Sequence, residues 1–230
     1  IKICRVKMSY LDHFFSQKLK IPCYHEYYGE FFFNWSIETA KQFMKHLMTM
    51  QPTKFYITSS TEIEAVTSKK ELFFTIMQSY NKLGNKKIDK FELVSIIPFI
   101  VGSNFEEVLA LSLKYFCLEN EGKEIITKDE FGLFLDCFFR AVHCIANFDI
   151  EDNVYQKTKD NLIKLAENEL DDLLENIFVD EDTNKIEKME ISKLMIIIPE
   201  NLKNILKNIN EGFHGSLVHF ENKIKEENKI

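Results

Sequence analysis

The chain of 230 residues carries a net charge of −7, which disfavours binding to the phosphate backbone of nucleic acids. Its 21 phenylalanines, set against 7 glycines and 4 prolines, favour long helices over a many-stranded sheet and argue against disorder. No apolar stretch reaches the roughly 18 residues of a membrane-spanning helix. The five cysteines are scattered and form no Cys-x-x-Cys, which predicts a cytoplasmic protein without a disulfide framework.

The first 35 residues are predicted to form a helical extension, with one helix from about Met8 to Leu19 and an aromatic stretch after it. Ser36 can cap the next helix, which we expect to run to about Met50. Helical spacing gives this helix an apolar face, made of Ala40, Phe43, Met44 and Leu47. A loop follows, and Ser59 is placed to cap a short helix beyond it.

Three later segments share one pattern, which reads Ile, a polar residue, Lys, any residue, Glu and an apolar residue. They begin at Ile88, Ile126 and Ile186, and each follows a polar loop that comes after an amphipathic run. Capping-box spacing predicts helix starts at Ser68 with Glu71, Asp89 with Glu92, Ser103 with Glu106, and Thr127 with Glu130. After the third loop, the face with Phe134, Cys137 and Phe138 is expected in the core. Together with the fainter unit near Ser36, the order helix, loop, helix occurs four times.

The fold class predicted from this order is all-α, with four helix–loop–helix units in two pairs, short β-bridges between paired loops and extra terminal helices. The predicted divisions are an N-terminal extension (1–35), a first pair (36–102), a second pair (103–200) and a C-terminal helical tail (201–230). The tail is expected to break at residues 212–215, where two glycines occur.

The repeated unit resembles the EF-hand of the calmodulin superfamily, and its pattern is most similar to the neuronal calcium sensor and calaxin-like branch. In that family, position 8 of a twelve-residue loop is an apolar residue that pairs with the partner loop, and position 12 is a Glu that binds calcium. The shared Ile and the shared Glu match these two positions. The pairs Tyr80 with Met77 and Leu118 with Tyr115 match the apolar positions at the end of the entering helix.

Most of the loops lack the oxygen ligands that calcium requires. Loop one (51–62) has almost none, loop two (81–92) places Leu83 and Lys86 at critical positions, and loop three (119–130) places Lys123 at a ligand position. The fourth loop has the best candidate metal ligands, although its register is one residue short: Asp180, Asp182, Asn184, Glu187 and Glu190. We therefore expect no cofactor. Calcium binding at low occupancy or low affinity in loop four is the alternative. Because carboxylates also cluster in loops and first helical turns for capping alone, these five could equally form a solvated helix start.

The resemblance implies a non-catalytic structural or adaptor protein that binds a partner protein, either an amphipathic helix or a larger assembly. A calaxin-like pattern makes a cytoskeletal, ciliary or axonemal setting the corresponding expectation. The alternative is a calcium sensor that uses residues 180–190. An enzyme with an unrecognised active site is a further alternative, although no phosphate-binding glycine loop, His-Glu-x-x-His or Gly-x-Ser-x-Gly is present.

Overall fold

The computed structural model describes residues 29, 31–49, 56–57, 88–119, 123–145, 170–179 and 186–228. These residues are mostly helical, so the prediction of helical character is confirmed. Within the described ranges lie seven helices: α1 (Ile37–Thr49), α2 (Lys90–Val101), α3 (Phe105–Lys114), α4 (Lys128–Ile145), α5 (170–177), α6 (Ile191–Ile197) and α7 (Glu200–Glu227). Four short strands accompany them: β1 (Tyr56–Ile57), β2 (Ile88–Asp89), β3 (Ile125–Thr127) and β4 (Lys188–Glu190). The helices predicted near residues 8–19, 59–66 and 68–80 lie outside the described residues.

Helix α1 has the start and the buried face that the sequence predicts. The Ser36 Oγ accepts a hydrogen bond from the backbone N–H of Thr39 at 3.1 Å, which satisfies one of the unpaired donors of the first turn. All four residues of the predicted apolar face are buried. Just upstream, the Trp35 ring packs on Phe43 with centroids 5.2 Å apart, so the end of the N-terminal extension belongs to the core.

Helix α2 is the central helix, and its residues from Lys90 to Val101 are almost all buried. A helix that is apolar on every side can be stable only when neighbours surround it. Helices α1, α3, α4 and α7 all pack against it. The ring centroids of Phe99 in α2 and Phe138 in α4 are 4.5 Å apart. The predicted core face of α4, with Phe134, Cys137 and Phe138, is buried as expected.

The starts of α2 and α3 refine the predicted capping boxes. The Asp89 carboxylate accepts from the N–H of Phe91 at 2.8 Å, so Asp89 caps α2 as predicted. At α3 the prediction of a Ser103 cap is wrong, because Asn104 is the capping residue and its Oδ1 accepts from the N–H of Glu107 at 3.2 Å. Asn is as good a cap as Ser, and one residue of shift is enough to exchange them.

Two antiparallel ribbons join loops that are far apart in the chain. Strand β1 pairs with β2, with Ile57 opposite Ile88, and strand β3 pairs with β4, with Ile126 opposite Met189. The expectation of short β-bridges between loops is therefore met in both places. The predicted alignment of the fourth unit is wrong by three residues, because Met189 pairs with Ile126 while the N–H of Ile186 donates to the Phe178 carbonyl.

Helix α7 runs without interruption from Glu200 to Glu227, so the predicted break at residues 212–215 is wrong. Each glycine costs a helix about 1 kcal/mol relative to alanine. Burial of a continuous stripe on both sides of the glycines offsets this cost, since Leu202, Ile205, Leu206, Ile209, Phe213 and Leu217 are all buried. Tertiary packing thus extends a helix that the local sequence would interrupt.

Two glycine-to-alanine substitutions should change the free energy of unfolding in opposite directions. A Cβ atom on Gly102 would lie 2.3 Å from Val108 Cγ2, so Gly102→Ala is expected to destabilise the fold by roughly 2 kcal/mol. A Cβ atom on Gly215 would meet no atom within 4 Å, so Gly215→Ala is expected to stabilise α7 by about 0.5–1 kcal/mol. Urea unfolding measures both changes, and a Gly102→Ala chain as stable as the unsubstituted one would contradict the close packing between α2 and α3.

Candidate functional site

The predicted metal ligands of loop four are only partly described by the structure. Asp180, Asp182 and Asn184 lie outside the described residues, so the five-residue ligand set stays a prediction. Glu187 and Glu190 are both exposed. Glu190 ends strand β4 and precedes α6, and its carboxylate lies 3.3 Å from the Ser192 hydroxyl.

The residues that pair between the strands of each ribbon give an independent way to number the loops. In an EF-hand the ligand Glu comes four residues after the residue that pairs with the partner loop. Counted from Ile88 and Ile126, that position holds Glu92 and Glu130, as the sequence predicts. Counted from Ile57 and Met189, it holds residue 61, a threonine, and residue 193, an exposed lysine. In the outer two loops, neither position four residues after the paired residue holds a carboxylate.

Glu130 is the most strongly engaged carboxylate of the candidate loops. Its side chain is buried, and Oε1 accepts hydrogen bonds from the backbone N–H groups of Leu118 and Glu119, the latter at 2.8 Å. Its Oε2 accepts from the N–H of Thr127 at 2.7 Å, and the Thr127 Oγ1 accepts from the Glu130 N–H at 3.2 Å. The capping box predicted at Thr127 is therefore confirmed.

This arrangement closes loop three with the protein's own atoms. Leu118 and Glu119 lie where the chain enters the loop, while Glu130 lies in the first turn of α4 where the chain leaves it. Both carboxylate oxygens are already used, and hydrogen bonds of N–H groups to an ionised carboxylate are stronger than neutral ones. A cation would therefore compete with three backbone N–H groups for the Glu130 carboxylate.

The entrance to loop three departs from the expected helix. Helix α3 ends at Lys114, and Leu118, expected to be a core residue at the end of this helix, is 41% exposed. Tyr115 is half-buried, and its hydroxyl donates to the Lys41 carbonyl at 3.1 Å. The bond from the Leu118 N–H to Glu130 thus fixes a non-helical segment.

The carboxylate of Glu92, at the end of loop two, is engaged differently. Its side chain is only 13% exposed, and its Oε1 lies 3.2 Å from Nε of Arg140 in α4. Arg140 also lies 2.8 Å from Asp136. Burial raises the pKa of the nearby Asp89 carboxyl, with the Phe91 N–H and the Arg140 charge acting in the opposite direction.

Sequence reasoning missed two residues that organise this region, Arg140 and Asn210. Asn210 in α7 is buried and donates from Nδ2 to the carbonyls of Phe99 and Gly102, both at 2.8 Å. Two signals could have indicated them. Arg140 is one of two arginines in the chain, and Asn210 directly follows Ile209 on the apolar stripe of α7.

The described cysteines behave as core residues. Cys117 and Cys137 are buried free thiols. Burial raises the pKa of Cys117 to about 11 and that of Cys137 to about 12. Both are therefore protonated at neutral pH, which leaves them without the thiolate that metal binding or redox exchange requires.

Among the described ranges, no cluster of three or more His, Cys, Asp or Glu side chains could hold a metal ion. No described helix has the length and apolar composition to cross a membrane. Comparison of the chain with models of known protein families, with curated proteins and with solved structures finds no match.

Proposed function

We propose that this chain is a non-catalytic adaptor built from four EF-hand-like units, which binds a partner protein without control by calcium. Two observations support the EF-hand-like reading. Each ribbon joins two loops, and in the central pair of loops a Glu follows the ladder isoleucine by four residues. A helix begins directly after β2, β3 and β4.

The observation that carries the proposal is the engagement of both Glu130 carboxylate oxygens by backbone N–H groups. In a calcium-dependent EF-hand this carboxylate is a bidentate ligand, and its capture of the ion draws the exiting helix into place. Here three backbone N–H groups occupy the same carboxylate and fix α4 to the loop entrance. The unit is thereby held in one state by bonds that need no ion.

The way in which a partner would bind follows from what α7 covers. Helix α7 packs on α2 through its buried stripe, so this apolar face of α2 is filled by the chain itself. A partner would meet the remaining surface, where Ile196 and Ile197 at the end of α6 are 77% and 38% exposed. A cytoskeletal or ciliary assembly as this partner rests on the family resemblance alone.

The proposal is tested by the calcium dependence of partner binding. The tagged 230-residue chain is used to isolate partners from cytoplasmic extract, in parallel in EGTA and in millimolar calcium with equal magnesium. We expect the same partners at the same yield in both buffers. Partners that are recovered only with calcium would contradict the proposal.

The alternative is a calcium sensor that uses residues 180–190. It is favoured by the exposure of Glu187 and Glu190, since exposed carboxylates can reach an ion without breaking internal bonds. The exposed lysine four residues after Met189 opposes it, because a cation at that position repels a second one.

A further inference from the structure

The Glu92–Arg140 ion pair connects helices that follow two different ribbons. Glu92 lies in the first turn of α2, directly after β2, whereas Arg140 lies in the last third of α4, the helix that follows β3. The two side chains are therefore contributed by the first and the second predicted pair. They meet at 3.2 Å between Nε and Oε1.

Three carboxylates lie around the Arg140 guanidinium. The Glu92 carboxylate is largely withdrawn from water, and the Asp89 and Asp136 carboxylates face the same arginine. A carboxylate withdrawn from water destabilises the fold unless positive charge or hydrogen-bond donors lie beside it. Arg140 supplies that charge to the loop-two exit, in the way that Thr127 and the loop backbone satisfy Glu130 at the loop-three exit.

We propose that Arg140 is the counter-cation of the Glu92 carboxylate at the start of α2, and that this ion pair locks the first helix–loop–helix pair to the second in one arrangement. This inference rests on the proposed function, because it explains how an adaptor of paired units keeps its shape without an ion. The lock is electrostatic, so it weakens at high ionic strength.

A double-mutant cycle in the 230-residue chain tests the lock. Arg140→Met is expected to lower the equilibrium constant for folding about tenfold, because it removes the positive charge that lies 3.2 Å from the largely buried Glu92 carboxylate. In a Glu92→Gln background the same substitution should cost no more than about twofold, since the remaining pair with the more exposed Asp136 contributes little to stability. Arg140→Lys keeps the positive charge and should recover part of the loss. Equal losses in both backgrounds would overturn the proposal.

Two controls separate a lock from general destabilisation. Lys128→Met removes a cation from the same helix, where Lys128 pairs with the more exposed Glu175, and should cost about twofold or less. Amide hydrogen exchange in Arg140→Met should quicken in the β1–β2 ribbon and not in β3–β4, because Glu92 lies beside β2. Equal quickening in both ribbons would contradict a local lock.

The outcome is distinguishable from the test of the proposed function. Absence of coupling between Arg140 and Glu92 would contradict the lock but would leave the proposal of calcium-independent partner binding unaffected. Calcium-dependent recovery of partners would contradict the proposed function but would not affect a measured coupling between Arg140 and Glu92.

Discussion

Replacement of Asn210 by Asp is expected to destabilise the chain by about 4 kcal/mol at neutral pH. The Nδ2 of Asn210 donates to two backbone carbonyls, those of Phe99 and Gly102, in a fully buried position at the contact between α7 and α2. A carboxylate of the same shape offers no donor there and places a negative charge against two carbonyl oxygens. Urea unfolding followed by circular dichroism measures the loss.

Asn208→Asp is the matched control, because Asn208 lies two residues away on the exposed side of the same helix. It makes the same change of charge and should alter the free energy of unfolding by less than about 0.5 kcal/mol. Stability of Asn210→Asp should partly recover as the pH falls, since a protonated carboxyl can again donate one hydrogen bond. A mild effect equal to that of the control would contradict the role of Asn210 in fixing α7.

Replacement of Glu130 by Gln is expected to cost about 2–3 kcal/mol. The amide oxygen can accept from Leu118 and Glu119, but the amide NH₂ then faces the N–H of Thr127, which is also a donor. Rotation of the amide only moves this conflict to the other two N–H groups. The substitution also removes the negative charge that strengthens all three bonds. Chemical unfolding and the exchange rate of the Glu119 amide hydrogen measure the result.

Asp129→Asn is the control for Glu130→Gln, because Asp129 is the exposed neighbour in the same first helical turn. It removes one charge near the helix N-terminus and should cost about 0.5 kcal/mol through the helix dipole alone. If Glu130→Gln and Asp129→Asn had the same free energy of unfolding, the hydrogen bonds of Glu130 would not be what stabilises loop three.

The features that the sequence predicts correctly are those decided by near neighbours in the chain. The Ser36 cap, the apolar face of α1 and the Thr127–Glu130 box depend on residues three or four apart, where helical geometry fixes the contact. The same reasoning finds the ladder residues Ile88 and Ile126, because each lies at a fixed distance from a helix start.

The features that the sequence leaves undetermined depend on distant partners. Asn210 contacts residues 108 and 111 positions away, and no local pattern encodes that pairing. Which residue pairs with Ile126, Met189 instead of Ile186, depends on how β4 lies against β3. The continuous course of α7 through its glycines likewise depends on burial against α2, which overrides helix propensity.

Calcium calorimetry on the 230-residue chain tests the central claim most directly. The protein is freed of divalent ions with EGTA, exchanged into buffer with magnesium, and titrated with calcium chloride. The internal closure of loop three and the scarcity of ligands in the other loops predict no heat beyond that of dilution and no change in the thermal unfolding midpoint. A micromolar calcium site that is abolished by Glu190→Gln would contradict the account and establish the sensor in its place.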